Sequence, residues 1–255
     1  MIKINKNKRI GNVVYIVEGA RKEFTLLTKI FNNLFDFSVV QLKRNNPEPC
    51  LKYYNNESDS TVYIINTETS NIESISSGKD YLNEKFLWLY DNYNIDIHNC
   101  FVFYIFDRDH KSNLNTKLIQ SLLDDLQSST FNDTEQPGLL LINYPCIESF
   151  IIHSFEQPLV LTNSSSGEEL KKYINKNNYQ QNNLTIENLQ TATQQVMDLL
   201  KDKFNYVLNV SDLDKFGSHN TDIFEKQEKY NLSEQYVLLP LIILSLIDLS
   251  LITID

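Results

Sequence analysis

The sequence predicts an α/β protein with a mainly parallel sheet flanked by helices. Short runs rich in β-branched and aromatic residues alternate along the chain with stretches in which apolar residues recur three and four positions apart. Three of the short runs, VVYIVE, FVFYIF and LLLIN, are apolar at nearly every position, as expected for strands covered by helices on both faces. Regular alternation of strands and helices is typical of α/β domains.

The elements of this fold can be placed in order along the chain. The predicted strands are Val13–Glu18, Phe37–Leu42, Thr61–Asn66, Phe101–Phe106 and Leu139–Asn143. The predicted helices are Arg21–Phe35, Lys79–Tyr93, Asn113–Leu126, Ile147–Phe155 and Thr185–Phe204. The three continuous apolar runs are expected to form the centre of the sheet.

The second half of the chain differs from the first in amino-acid composition. Loop signals and an Asn/Gln-rich tract follow residue 156, so we predict a core at 1–156 and a helical elaboration at 157–255 that packs on it. The run from Val237 to Ile254 is almost entirely apolar but contains Pro240 and Asp248. Because a charge inside a bilayer is costly, we predict a buried C-terminal helix and no membrane anchor.

Composition restricts the class of protein further. A chain of 255 residues that is 42% hydrophobic can bury a sizeable core, which excludes disordered and collagen-like classes. Its three cysteines are scattered without a CxxC pair, which predicts neither a zinc cluster nor a disulfide framework and indicates a reducing cytoplasm. No signal peptide is predicted, because the N-terminus MIKINKNKRI lacks an apolar region. The net charge of -10 argues against a general nucleic-acid-binding surface.

Acidic residues follow three of the predicted strands. Glu18 ends the first strand, Asp107 and Asp109 follow FVFYIF, and Glu148 comes shortly after LLLIN. The carboxyl ends of parallel strands lie along one edge of a sheet, where open α/β proteins bind ligands. We therefore expect the four carboxylates to meet in one crevice.

Such a group of carboxylates predicts a metal site. Like charges held together are costly unless a cation neutralises them, and oxygen ligands suit Mg²⁺ or Mn²⁺. If Asp107 and Asp109 lie on extended backbone, their side chains point to the same face. Other interpretations remain open: Glu18 and Glu148 as helix N-terminal charges, and the aspartates as an Asx turn and N-cap.

These motifs resemble those of a known family. A strand ending in VEG, a later strand ending in FDRD, and the segments PCIESFIIHSF and YVLLPLIILSLI are similar to Toprim proteins, in particular the RloB/AbiLii-like branch and related OLD-type nucleases of antiphage defence. The resemblance covers about Val13 to Phe155 and the C-terminal segment. It implies a Toprim-like, Rossmann-like core.

The resemblance also implies roles for single residues. Glu18 matches the family's general acid or base, and Asp107 and Asp109 match its metal-binding pair. Glu148 matches the catalytic glutamate of the downstream motif and is a candidate for a further metal ligand. Glu18 also counts among the predicted metal ligands. The chain continues as HKSN after the second aspartate, which is unlike topoisomerases and favours a nuclease.

The first hypothesis is thus a Mg²⁺- or Mn²⁺-dependent nuclease that cuts tRNA or DNA as the toxic effector of an antiphage or abortive-infection system. The alternative is a regulatory subunit with little activity alone, held by an ATPase sensor partner. A phosphotransferase or phosphatase ranks third, because those folds commonly place DxD after the first strand. The sequence leaves open whether the protein forms a homodimer.

The remaining conspicuous residues have plainer interpretations. His110 and His153 are expected to be structural, and Cys146 to be a small buried residue. The basic clusters could contact phosphates, but charge runs of this kind are usually solvated surface, which is the interpretation adopted. These clusters are Lys3/Lys6/Lys8/Arg9, Lys43/Arg44 and Lys171/Lys172.

Overall fold

The computed structural model describes most of the chain. It covers residues 1–19, 22–40, 50–67, 72–77, 79–110, 113–130, 138–156, 167–179, 183–208, 216–233 and 236–254. The boundary predicted between 156 and 157, the Lys43/Arg44 pair and the end of the strand predicted at 37–42 lie outside these ranges.

Ten strands are present in the described residues. They are β1 (Ile2–Ile4), β2 (Asn12–Val17), β3 (Ser38–Val40), β4 (Cys50–Asn55), β5 (Ser60–Asn66), β6 (Phe101–Asp107), β7 (Gln127–Ser128), β8 (Gly138–Tyr144), β9 (Leu239–Pro240) and β10 (Ile252–Ile254).

Nine α-helices accompany these strands in the same ranges. They are α1 (Lys22–Thr28), α2 (Glu73–Ser77), α3 (Lys79–Tyr93), α4 (Thr116–Asp125), α5 (Glu148–Phe155), α6 (Gly167–Lys176), α7 (Ile186–Phe204), α8 (Phe216–Leu232) and α9 (Ile242–Asp248). A π-helical segment, Lys29–Leu34, continues α1, and a 3₁₀ turn covers Ile97–Asn99.

The main sheet is mixed, with parallel strands at its centre. Its order is β3-β4-β5-β2-β6-β8-β7, and β9 pairs with β8. The neighbours β5, β2, β6 and β8 are all parallel to one another, whereas β3, β4, β7 and β9 pair antiparallel. The α/β class with a mostly parallel central sheet is therefore confirmed, and the three continuous apolar runs are adjacent strands β2, β6 and β8.

The C-terminal apolar segment is buried as predicted but is not one helix. Helix α9 covers only Ile242–Asp248, and β9 and β10 lie on either side of it. The prediction of a helix over the whole segment is wrong, because periodicity cannot distinguish a buried helix from short buried strands. In the described part of the chain no helix is both long enough and apolar enough to cross a membrane.

The C-terminal elements share the core of the sheet. A single hydrophobic cluster includes Val14 and Phe103 from central strands, Leu200 from α7, and Ile243 and Leu246 from α9. Helix α7 packs against α5, and the separate two-stranded sheet joins β1 to β10 antiparallel. Residues from both predicted segments therefore contribute to one core.

Helix α8 crosses β7 at very short range. A Cβ added at Gly217 would lie 2.0 Å from the backbone oxygen of Gln127. We therefore expect Gly217→Ala to destabilise the protein by about 1–3 kcal/mol, as overpacking does. Urea denaturation measures this loss, with Asp222→Ala at an exposed position of α8 as the control. Equal stability of the two variants would contradict the expected clash.

Candidate active site

The acidic residues after β2 and β6 meet at the carboxyl edge of the sheet. Val17 pairs with Ile105 in the parallel register, so Glu18 lies beside the end of β6. The Glu18 Oε2 atom accepts a hydrogen bond of 3.0 Å from the backbone N–H of Asp107. Asp107 Oδ1 in turn accepts one of 2.7 Å from the N–H of Ile147, just after β8. Three neighbouring strand ends thus fix these carboxylates through backbone hydrogen bonds.

Glu18, Glu23 and Asp107 form what we call the acidic group. One ligand oxygen of each lies within 4.8 Å of the other two. Glu23 is in the first turn of α1 and only 6% exposed. Gly19 allows its approach, since a Cβ there would lie 3.0 Å from Glu23 Oε2. The sequence interpretation missed Glu23; its position in the first turn of the helix that follows the strand-end glutamate was the available signal.

Burial and mutual repulsion raise the pKa values of the carboxylates in the acidic group. Burial raises the pKa of Glu18 to about 7; the hydrogen bond from Asp107 opposes this shift, and the charge of Glu23 adds to it. Burial likewise raises the pKa of Glu23, and raises that of Asp107 well above its ordinary value with help from the charges of Glu23 and Glu18. Carboxylates forced together in this way favour binding of a cation.

Glu148 approaches the acidic group from a different side and already has a cationic partner. Its Oε1 lies 2.8 Å from Lys22 Nζ. Its Oε2 is buried and has no hydrogen-bond partner among the residues that the structure describes. Ligand atoms of Asp107, Cys146 and Glu148 also lie within 4.8 Å of one another. Cys146 is buried, and this burial raises its pKa well above the ordinary thiol value, as expected for an unreactive thiol.

Asp109 lies next to this region but belongs to neither group of potential ligands. The strand ends at Asp107, and Asp109 has a φ of 24°, so the backbone is not extended there. Its N–H donates to the carbonyl of Pro145, and its carbonyl accepts from Asn113. The expected same-face alternation of the two aspartates is therefore absent, although the charge of Asp109 helps to raise the pKa of Glu18.

The competing structural interpretations fit some residues better than others. Asn115, and neither aspartate, caps α4 through a bond to the N–H of Leu118. His153 is fully buried, and its Nε2 lies 2.9 Å from the carbonyl oxygen of Leu238, consistent with a structural histidine. Lys6 and Arg9 pair with exposed aspartates, as surface residues do.

The acidic group has the chemistry of a site for a hard divalent cation. It offers oxygen atoms from three carboxylates. Mg²⁺ and Mn²⁺ prefer oxygen ligands of this kind. Glu18, Glu23 and Asp107 therefore fit the predicted metal better than the pair Asp107 and Asp109.

Comparison with known proteins identifies no relative of the chain. No protein-family model, curated protein or solved structure gives a significant match to the chain.

Proposed function

We propose that the chain is a metal-dependent nuclease with a Toprim-like core. The observation that carries the proposal is the acidic group, with ligand oxygens within 4.8 Å of one another at the ends of adjacent parallel strands. The motifs VEG and FDRD support the Toprim assignment by resemblance. The third candidate, a phosphotransferase or phosphatase, gains no observation of its own.

Within this proposal, Glu18, Glu23 and Asp107 hold Mg²⁺ or Mn²⁺, with Asp109 at the rim. When bound, the cation supplies a Lewis acid for the phosphodiester oxygens. Glu18 has Oε2 engaged by the Asp107 N–H, which leaves Oε1 to exchange a proton with the attacking or leaving oxygen.

Cleavage assays test the proposal. The wild type is expected to cut tRNA or plasmid DNA when Mg²⁺ or Mn²⁺ is present and not in EDTA. Glu18→Gln and Asp107→Asn are each expected to lower the rate at least 100-fold, since both remove a charge from the acidic group. Asp202→Asn, at an exposed position of α7, is the control that retains activity. Equal background cleavage by all four proteins would overturn the proposal.

The wider biological role is proposed from the resemblance. We propose that the nuclease is the toxic effector of a prokaryotic antiphage system. The net charge of -10 slows unaided capture of a polyanion, which favours delivery or activation by a partner such as an ATPase sensor. Affinity purification from the native host tests this: a stable complex with an ATPase supports it, and an active enzyme without any partner contradicts it.

A further inference from the structure

We infer that Lys22 and Lys171 form a phosphate-binding subsite beside the acidic group, with Glu148 orienting Lys22. The inference rests on the nuclease function proposed above and concerns the part of the site that holds the substrate. It gives Glu148 a positioning role toward Lys22.

The pair of Lys22 and Glu148 has an ordered geometry. The two charged groups are 2.8 Å apart, and the Glu148 side chain is 7% exposed whereas that of Lys22 is 39% exposed. The carboxylate thus lies behind the ammonium and holds it at the accessible side of the site.

Lys171 brings a second ammonium to the same place. It belongs to α6, which begins beside Glu148: a Cβ added at Gly167 would lie 3.5 Å from Glu148 Oε2. Lys171 follows Gly167 by four positions and therefore lies on the same face of α6, toward Glu148. Its contact with Lys22 lowers the pKa of Lys171, and the charge of Glu148 opposes this shift. Two cations placed together repel each other, and because the single carboxylate of Glu148 balances only one of the two charges, a further bound anion relieves the remaining repulsion.

The position of Lys22 relative to the acidic group identifies the anion. Lys22 Nζ lies 2.8 Å from Glu148 Oε1, and a Glu148 oxygen lies within 4.8 Å of an oxygen of Asp107, so the ammonium is close to the acidic group. An anion held by Lys22 therefore lies next to the metal-binding carboxylates. A tetrahedral phosphate has enough oxygens to face the ammonium groups on one side and a bound cation on the other. The ligand class is a phosphate group, either free or in a nucleic-acid backbone.

The neighbouring lysine provides a matched control. Lys172 is adjacent to Lys171 in α6, but its Nζ pairs with Glu168 at 3.2 Å, with both side chains about three-quarters exposed. Substitution of Lys172 makes the same change in net charge as substitution of Lys171. A difference between the two variants therefore reports position and not overall charge.

Binding to metal-free protein in EDTA tests the subsite without cleavage. Isothermal titration with inorganic phosphate and with a short single-stranded oligonucleotide is expected to show that Lys22→Met and Lys171→Met each weaken binding at least tenfold. Lys172→Met is expected to change it less than twofold. Binding of both ligands supports a general phosphate subsite; binding of the oligonucleotide alone assigns the subsite to the nucleic-acid backbone. Circular dichroism checks folding, and Lys22→Arg is expected to retain most of the binding.

Binding of Mn²⁺, followed by electron paramagnetic resonance, separates this inference from the proposed function. Lys22→Met is expected to bind Mn²⁺ at least as tightly as the wild type, because a positive charge near the acidic group is lost. Glu148→Gln is expected to weaken phosphate binding while changing Mn²⁺ affinity less than threefold. The inference is overturned if wild type binds neither phosphate probe, if Lys172→Met matches Lys171→Met, or if Glu148→Gln loses Mn²⁺. If phosphate binding is retained but no cleavage is observed, the result counts against the proposed nuclease activity and not against the phosphate subsite.

Discussion

Glu228→Ala is expected to cost about 3 kcal/mol of folding stability, the lower end of the range for breaking a buried ion pair. Arg108, between the two aspartates of the FDRD motif, is 3% exposed, and its Nε and Nη2 donate to Glu228 Oε1 and Oε2 at 2.7 and 2.9 Å. Removing Glu228 leaves a buried guanidinium without a carboxylate. The expected cost is at the lower end because the Glu228 side chain itself is 23% exposed.

The same substitution is expected to weaken divalent-cation binding. Arg108 Nη1 also donates to the carbonyl of Asn113, whose side chain donates to the carbonyl of Asp107. Losing the pair therefore weakens the support that Asn113 gives to Asp107, a proposed metal ligand. Titration with Mn²⁺ well below the unfolding temperature measures this effect apart from stability.

Two variants control this experiment. Glu225→Ala removes an exposed glutamate of α8 that accepts a 2.9 Å bond from Gln120, and is expected to cost about 0.5–1 kcal/mol. The double variant Arg108→Met/Glu228→Leu replaces both charges with apolar groups and is expected to recover most of the stability lost in Glu228→Ala. If urea denaturation gives equal losses for Glu228→Ala and Glu225→Ala, Arg108 does not depend on its partner.

The second large effect is a change of stability with pH that depends on Glu18. Its pKa in the folded protein is about 7, above the ordinary value of 4.5. Glu18 therefore does not alter the free energy of unfolding below about pH 4.5, lowers it progressively as the pH rises to about 7, and has its full unfavourable effect above that. At about 1.4 kcal/mol per pKa unit, the effect is on the order of 3 kcal/mol.

Thermal denaturation of metal-free protein between pH 5 and pH 8 measures this dependence. Glu18→Gln is expected to raise the melting temperature at pH 8 and to leave it nearly unchanged at pH 5. Mg²⁺ is expected to stabilise the wild type more at pH 8 than at pH 5, since the cation binds the ionised carboxylates. If Glu18→Gln and the wild type have the same melting temperature at every pH, the folded protein does not raise the pKa of Glu18.

Local patterns predict the scaffold of the candidate site well. Strand β2 begins and ends within one residue of its predicted bounds, and α3 covers the predicted Lys79–Tyr93. Continuous apolar runs identify the central strands because both faces are buried there. Once those strands are adjacent and parallel, their carboxyl ends must meet, so the convergence of Glu18 with Asp107 follows from topology.

The parts that could not be predicted depend on contacts between distant residues or on ambiguous local signals. The sequence does not indicate that Arg108 pairs with a glutamate 120 positions later. Glu23 resembles the acidic residues common in first helical turns, so its contact with Asp107 becomes visible only in the tertiary structure. In the sequence, Lys171 is typical of a solvated surface residue. Only the tertiary structure, in which α6 begins beside Glu148, brings it near the candidate site.

The strand order also affects how the protein folds. Glu18 and Asp107 are 89 residues apart along the chain, yet a hydrogen bond joins them across neighbouring central strands. Pairings between residues so far apart close late and slow the folding reaction. During synthesis and early collapse the carboxylates are therefore separate and hydrated. We expect their mutual repulsion to oppose the final closure of the sheet, and a divalent cation bound as proposed would then accelerate that step.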